Sequence, residues 1–339
     1  MRKELYFCRL LPFAAIVMLA CGCSDTSSAE GGAEQDDAMR MRFGTARVDT
    51  RAVVGTAELQ VAGSAFSVWG TYRNGTSDPV TVFDGTRVTS DGAKWTYDVP
   101  RYWFPTFTYD FRALYPADLP AGVSVRFASD EARLSVENFD ALSGIDLLAA
   151  SPAAVTCVPG KTMGPVNLDF RHLLSRVTFV GRSDEQHLGT GRRGVSDRAV
   201  RYGIRTTGSW SGASFTGTAS GAWTPTGPVL GADADLYSAA SVELAVDGTK
   251  LFPDDRTLFI PQDLSEAVLE VTFHYNYTDA DSPLQFTSRV ALSTVSERWE
   301  AGKSYRYPFS IESHIFFETP TVEPWQYAPV NGPDFNVDL

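Results

Sequence analysis

The sequence of 339 residues has little cysteine, little histidine and no excess of positive charge, and each shortage removes a class of function. Its four cysteines are Cys8, Cys21, Cys23 and Cys157, so the body of the chain carries one thiol and no Cys-x-x-Cys pair. That leaves no disulfide framework and no thiolate zinc site. Alone in the body, Cys157 is expected to be a small buried hydrophobe. Of the four histidines, His172, His187, His274 and His314, no two stand at the i, i+4 spacing of a helical metalloprotease site. Acidic residues outnumber basic ones 41 to 29, a net charge of −12, which lacks the cationic footprint that nucleic acid requires. Such a balance suits a soluble, mutually repelling surface domain. No Gly-x-Ser-x-Gly elbow, His-Glu-x-x-His or P-loop occurs. Asp233-Ala234-Asp235 and Asp279-Ala280-Asp281 lack the ligand spacing and terminal Glu of a calcium loop and read as exposed turns, with Asp254-Asp255 a turn or helix cap. No convergent catalytic set emerges, so the chain is read as a non-enzyme without cofactor or metal.

A long apolar span is also missing. After Arg2, Lys3 and Arg9 the only apolar run at the N-terminus is Leu10 to Ala20, eleven residues, where a spanning helix takes roughly 20. Residues 1–20 therefore read as a signal peptide. The run Val17-Met18-Leu19-Ala20-Cys21-Gly22-Cys23-Ser24 resembles a lipoprotein processing site, in which a Cys after small residues is lipidated at the new N-terminus. Cys21, after Ala20, is the expected site, and Cys23, after Gly22, is the alternative; an ordinary secretory signal is the plainer reading. Removing the signal takes away a net charge of +2 and leaves −14. Residues 21–40 that follow are small, acidic and polar, and are expected to be a disordered tether. Acidic residues soon after the Cys resemble a surface-export signal of Bacteroidetes lipoproteins.

What the sequence does have is alternation. Aromatic residues make up 12% of it. From Phe66 to Pro116 they recur with β-branched residues at every second position (Phe66 and Val68; Trp95 and Tyr97; Phe107, Tyr109 and Phe111), punctuated by Gly, Asn, Asp and Pro. This is the pattern of short antiparallel strands with one buried face. Asn74-Gly75 and Asp91-Gly92 predict tight hairpin turns with positive φ at both central residues. Further strands are expected at 41–48, 123–127, 134–136, 146–149, 202–204, 214–217, 221–223 and 269–277. The stretch 181–199 is polar and rich in glycine and reads as a long exposed connection. Ser151 to Gly164, rich in Pro, Gly and Ala, is taken as a domain boundary, giving an N-terminal domain over 41–163 and a C-terminal domain over 164–339. His172, between apolar residues, is either a ligand or base, or a buried histidine that ties down a strand turn.

Several segments resemble, in order, the fimbrillin family of Bacteroidetes surface pili. Trp95-Thr96-Tyr97, Arg101-Tyr102-Trp103-Phe104-Pro105 and Tyr109-Asp110-Phe111-Arg112-Ala113-Leu114-Tyr115-Pro116 match its N-terminal domain. Leu168 to Val180, Leu258-Phe259-Ile260-Pro261-Gln262 and Trp299-Glu300-Ala301-Gly302-Lys303-Ser304-Tyr305-Arg306-Tyr307 match its second domain. The resemblance covers most of residues 41–325. It implies an all-β chain of two tandem transthyretin-like β-sandwich domains.

It also implies a structural function: a subunit of a cell-surface fimbria, made as a lipoprotein precursor, placed at the outer membrane and joined to other pilus subunits, with adhesion to a host or bacterial surface as a consequence. In that family a first strand precedes a Thr-Arg-Ala loop, and cleavage at the Arg releases the strand. Thr50-Arg51-Ala52 matches, so Arg51 is the candidate processing site and Arg47 the second. Met41 to Val48 is then the removable strand, and the region from Ile315 to the C-terminal tail is the candidate donor, though Pro324, Pro329 and Pro333 each remove a ladder donor. A tip or anchor subunit remains open. The alternatives from other classes are a surface glycan-binding lipoprotein of a polysaccharide-uptake system, with aromatics such as Trp103 or Trp223 on an exposed face, and a β-sandwich hydrolase with paired carboxylates.

Overall fold

Alternation does what the sequence pattern requires of it. In β5 (Thr108–Tyr115), Tyr109, Phe111 and Ala113 are buried in one core, whereas Leu114 belongs to another on the opposite face of the strand. The computed structural model describes residues 38–48, 56–183, 194–214, 221–233, 241–253, 257–275, 285–311 and 315–325. From Met39 onward they belong to one compact unit. Among the described residues there are twenty-two strands and one short helix, α1 (Thr56–Leu59), with two 3-10 turns. The chain is all-β. Among the same residues no helix is long and apolar enough to cross a membrane.

The largest sheet has eight strands. Its order is β1 (Phe43–Val48), β10 (Val166–His172), β8 (Leu148–Ala150), β5, β2 (Ala65–Arg73), β3 (Val80–Ser90) and β4 (Trp95–Thr96), with β9 (Val155–Thr156) paired to β5. β1 runs parallel to β10, and the remaining pairs are antiparallel. The sheet is rolled so that its two ends meet. Met41 N donates to Arg101 O at 2.7 Å and Trp103 N to Met39 O at 2.8 Å, which joins the segment before β1 to the segment after β4. The interior of the roll is packed with aromatic rings, among them Phe43, Phe66, Phe83, Trp103, Tyr109 and Phe111. Gly70, in the middle of β2, leaves room for the Phe111 ring, which would stand 2.9 Å from a Cβ there.

The outer face of the roll carries Trp69, Leu114, Leu147 and Ala149, which share a second core with Leu134, Val136, Phe139 and Trp210. The latter four lie in a four-stranded sheet ordered β14 (Ala222–Thr226), β13 (Thr207–Gly212), β7 (Arg133–Asp140) and β6 (Ser124–Ala128). A third core fills a sandwich. One layer is β16 (Thr249–Lys250), β11 (Ser175–Ser183), β20 (Lys303–Ile311) and β21 (Ile315–Phe317), with β17 (Leu258–Phe259) on β11 and β22 (Thr321–Pro324) on β20. The other is β15 (Val242–Glu243), β12 (Gly194–Tyr202), β18 (Val268–Tyr275) and β19 (Gln285–Ala291). Val177, Phe179, Tyr307 and Phe309 from the first layer meet Ala199, Leu269, Val271 and Phe273 from the second. The inward residues of both layers share one core, as sheets packed face to face require.

Hydrogen bonding crosses position 163/164, where composition suggests a boundary. β10, beyond it, pairs with β1 and β8, and β7, before it, pairs with β13. Within the expected linker, Val155 and Thr156 form a strand against β5. Several local expectations are corrected. Gly75 and Gly92 have positive φ but Asn74 and Asp91 do not, so neither turn has left-handed conformation at both central residues. Side chains close these turns instead. Ser77 Oγ accepts from Asn74 N at 3.0 Å, and Asp91 Oδ1 accepts from Ala93 N at 2.8 Å and Lys94 N at 2.6 Å. The stretch 181–199 is strand at both ends, since β11 runs on to Ser183 and β12 begins at Gly194, and 184–193 lie outside the described residues. Polar residues are tolerated there because their bonds are made, as when Ser183 Oγ accepts from Gly194 N at 3.0 Å. The strand expected at 214–217 ends earlier, at Gly212, and 215–217 lie outside the described residues.

The chain after β22 is pinned by Trp325, which is buried in the second core, stacks on His172 with ring centroids 4.3 Å apart, and donates its backbone N–H to Gly302 O at 2.9 Å. Trp325→Ala is expected to lower the unfolding free energy by about 3–5 kcal/mol in a urea titration, because a large ring is removed from a site that β22, itself exposed, cannot collapse to fill.

Candidate functional site: the first strand and its seat

β1 differs from every other strand of the rolled sheet in being held along one edge only by a parallel partner. Its register with β10 aligns Phe43 with Val166, Ala46 with Leu168, Arg47 with Asp169 and Val48 with Phe170, with an irregularity between Phe43 and Ala46. Met41, Phe43 and Ala46 face inward and are buried. Phe43 enters an aromatic box made by Phe66 at 5.9 Å, Phe83 at 5.6 Å, Tyr97 at 5.9 Å and Phe111 at 6.2 Å between ring centroids. Such edge-to-face pairs add to the burial itself. Burying Phe43 and Met41 is worth about 3–6 kcal/mol together. Gly44, at the irregularity, has no space for a side chain: a Cβ would meet Asn167 and stand 3.0 Å from the Pro165 ring.

The opposite edge of β1 is a seam. Two side chains reach across it to carbonyls of the first strand region: Tyr97 Oη donates to Met41 O at 2.7 Å, and Gln60 Nε2 donates to Ala46 O at 3.4 Å. Desolvation pushes the Tyr97 phenol above its ordinary pKa, so it stays protonated and keeps its proton for Met41, while accepting from Arg101 N at 3.4 Å. Between these bonds lies an open cavity of about 420 Å3, with Arg42, Phe43 and Gly44 on one wall and Ser90, Lys94 and Trp95 on the other. β1 is thus seated by its side chains and by one ladder, with solvent along much of its second edge.

Several candidate residues fall elsewhere. Arg47 lies inside β1, aligned with Asp169. Arg51, Cys21, Cys23, His187, His314, Asp235, Asp254, Asp255, Asp279, Asp281 and the tail 326–339 lie outside the described residues. Ile315, at the start of the expected donor region, is buried in the sandwich core, and β22 is paired along β20. Cys157 is buried, with its thiol pKa raised by desolvation. His172 is the strand-tying histidine: its Nδ1 lies 2.9 Å from both carboxylate oxygens of Asp146, and the pair is buried. Trp223 is half-buried, packs on Phe139 and donates Nε1 to Leu173 O, and Trp103 is 2% exposed and packs on Tyr109. Its neighbour Phe104, 49% exposed, is the outward-facing aromatic of that segment. Gly189-Thr190-Gly191-Arg192-Arg193-Gly194 has the spacing of a dinucleotide-binding glycine run, but it leads into β12 rather than a helix and lacks the context that chemistry needs. Among the described residues no group of three or more His, Cys, Asp or Glu side chains is placed to hold a metal ion.

A protein-family model described as fimbrillin-like matches residues 50–325. The chain belongs to the fimbrillin-like family. Among solved structures it is similar to a fimbrial protein from Bacteroides vulgatus ATCC 8482, at 14% identity and a TM-score of 0.58, covering 85% of this chain and 99% of that one. It is also similar to a candidate cell adhesion protein from Bacteroides uniformis ATCC 8492, at 19% identity and a TM-score of 0.48, covering 85% and 98%. At such identities the first of these speaks for the fold alone. No curated protein matches. The β1 seat of this fimbrillin-like chain begins before the matched span, at Met41, so its features are those of this sequence.

Sequence reading found β1 but not what holds it. Gly44 is the one signal that was available, since a glycine within an alternating strand marks a close approach of another group. Phe43→Ala is expected to cost about 3–5 kcal/mol by the emptied aromatic box. Tyr97→Phe, which leaves Met41 O without its donor, is expected to cost about 1–3 kcal/mol, both read from urea unfolding. A loss below about 0.5 kcal/mol in either would mean that β1 is not seated as described.

Proposed function

We propose that this chain is a structural subunit of a cell-surface fimbria, exported as a lipoprotein precursor to the outer membrane and assembled by removal of β1 and its replacement with a strand from another subunit. The observation that carries the reading is the seating of β1 within a fimbrillin-like chain. It is a terminal strand, held by one ladder, whose side chains nevertheless complete a core. Taking it away exposes a row of main-chain donors and acceptors beside an apolar groove, a state that a monomer does not tolerate in water. An incoming strand repairs both losses, with main-chain bonds giving affinity and alternate side chains giving specificity. The work is done by association, not by catalysis, and the partners are other pilus subunits.

Further parts of the reading follow from it. The lobes 41–163 and 164–339 are taken as two transthyretin-like sandwiches. Two separate aromatic cores support two lobes, with the second core shared between them, and β10, from beyond 164, completes the core of the first. Processing falls at Arg51, or at Arg47, which would first need β1 to loosen because its backbone is paired there. The region from Ile315 onward is the candidate donor, and Pro324 at the end of β22 limits how far its ladder extends. The acidic segment 21–40 carries the folded part away from the lipid at Cys21, and adhesion to a host or bacterial surface is a property of the assembled fibre.

Digestion of the purified chain 24–339 with an Arg-specific protease is expected to cut after Arg51 or Arg47 and to leave a chain that forms SDS-resistant polymers when subunits carrying a fitting strand are added. A cut chain that polymerises alone would keep strand exchange but make a second copy of this chain the donor. An uncut chain under native conditions overturns the assignment of Arg51. Metabolic labelling with a palmitate analogue is expected to mark the wild type and Cys23→Ala and to be lost in Cys21→Ala; loss in Cys23→Ala alone would move the lipid to Cys23.

A further inference from the structure

The seat of β1 is selective about what fills it, and the selection is written in the positions that surround three of its residues. The box around Phe43 is built from aromatic rings on three different strands and one following segment, Phe66 of β2, Phe83 of β3, Phe111 of β5 and Tyr97 after β4, so it is a rigid hole of ring size. Next to it, position 44 is closed by Asn167 and by the Pro165 ring at 3.0 Å from a Cβ, and a proline ring cannot turn aside as a long side chain does. Two residues on, Ala46 is buried at 1% exposure, so its place accepts a methyl group and little more. Met41, also at 1%, fills the far end under the Tyr97 hydroxyl.

We propose that the strand which takes the place of β1 must carry the order large apolar, any, aromatic, glycine, any, small, running parallel to β10, and that it is supplied by a different kind of subunit rather than by a second copy of this chain. The proposal rests on the strand-removal reading above and adds to it the chemistry of the partner. Residues 315–339 carry the aromatics Phe316, Phe317, Trp325, Tyr327 and Phe335, which are followed by Phe317, Glu318, Gln326, Ala328 and Asn336, and in no case by glycine. All but one of these followers would drive a long side chain at Pro165. The exception, Tyr327-Ala328, sets Val330 at the place of Ala46, a branched side chain where a methyl group is fully enclosed. It would also draw on Trp325 for the Met41 end, and Trp325 is already buried against His172. The chain's own C-terminal region is therefore a poor match for the hole that β1 leaves.

The test uses the chain 24–339 after Arg-specific cleavage, offered an excess of labelled peptide and analysed for retained label by size exclusion. Four peptides are compared: residues 41–48 (MRFGTARV), the same with F43A, the same with G44V, and residues 326–339. The wild-type peptide is expected to be retained, and the F43A and G44V peptides to bind at least about a hundredfold more weakly. The 326–339 peptide is expected to be retained no better than these two. Equal retention of all four, or retention of 326–339 equal to that of 41–48, overturns the inference while leaving strand exchange in place. An uncut chain, or a cut chain that retains no peptide at all, removes the strand-removal reading and this inference with it.

Discussion

Everything in the rolled sheet depends on the closure of its interior by β1. The aromatic core within the roll needs a wall at the point where the sheet begins, and a wall there must supply inward side chains as well as main-chain bonds. β1 supplies Phe43 and Ala46 to the interior and a parallel ladder to β10, and Met41, just before it, adds a third buried side chain. The far edge is finished by side chains, Tyr97 and Gln60, and by the short bridge between residues 39–41 and 101–103. A strand that contributes so much burial through so few main-chain partners is at once necessary to the fold and separable from the ladder. That combination is the physical condition that strand exchange requires.

The rest of the chain makes the roll rigid. Its outer face is covered by a sheet that draws β6 and β7 from before the roll is complete and β13 and β14 from after it, so the two halves of the sequence are locked through the second core. Trp325 closes the same core from the C-terminal side, stacked on a histidine whose ring is fixed by buried Asp146. The sandwich beyond is conventional in its packing, with Phe179 and Tyr307 stacked at 5.1 Å across the parallel pair β11 and β20. The glycan-platform alternative finds little footing in this arrangement, because Trp103, Trp210, Trp299 and Trp325 are all spent in cores.

Much of this was legible in advance wherever one face of a strand is buried. Tyr109, Phe111 and Ala113 were readable as an inward row from period two alone, and β5 is where that row lies. Legibility failed where polar residues make their bonds inside a sheet, as Ser183 and Gly194 do, since periodicity scores such residues as loop. It failed again at the turns, where Asp91 and Ser77 side chains replaced the backbone conformations expected of Asn-Gly and Asp-Gly pairs. At the candidate site the strand was visible, expected from Met41 where it begins at Phe43, but Gln60, Tyr97 and Asn167 are separated from β1 by up to more than a hundred residues, and nothing local marks them.

By itself the sequence determined the all-β class, the family and the existence of a strand ending at Val48. Each of these follows from residue type, order or spacing along the chain. Tertiary structure alone decided that the first sheet rolls until its ends meet, that β7 pairs with β13 across the linker, and that Gly44 faces a proline ring. The reason is that alternation specifies which face of a strand is buried, whereas the partner on either edge is chosen by main-chain hydrogen bonds that are the same for every residue.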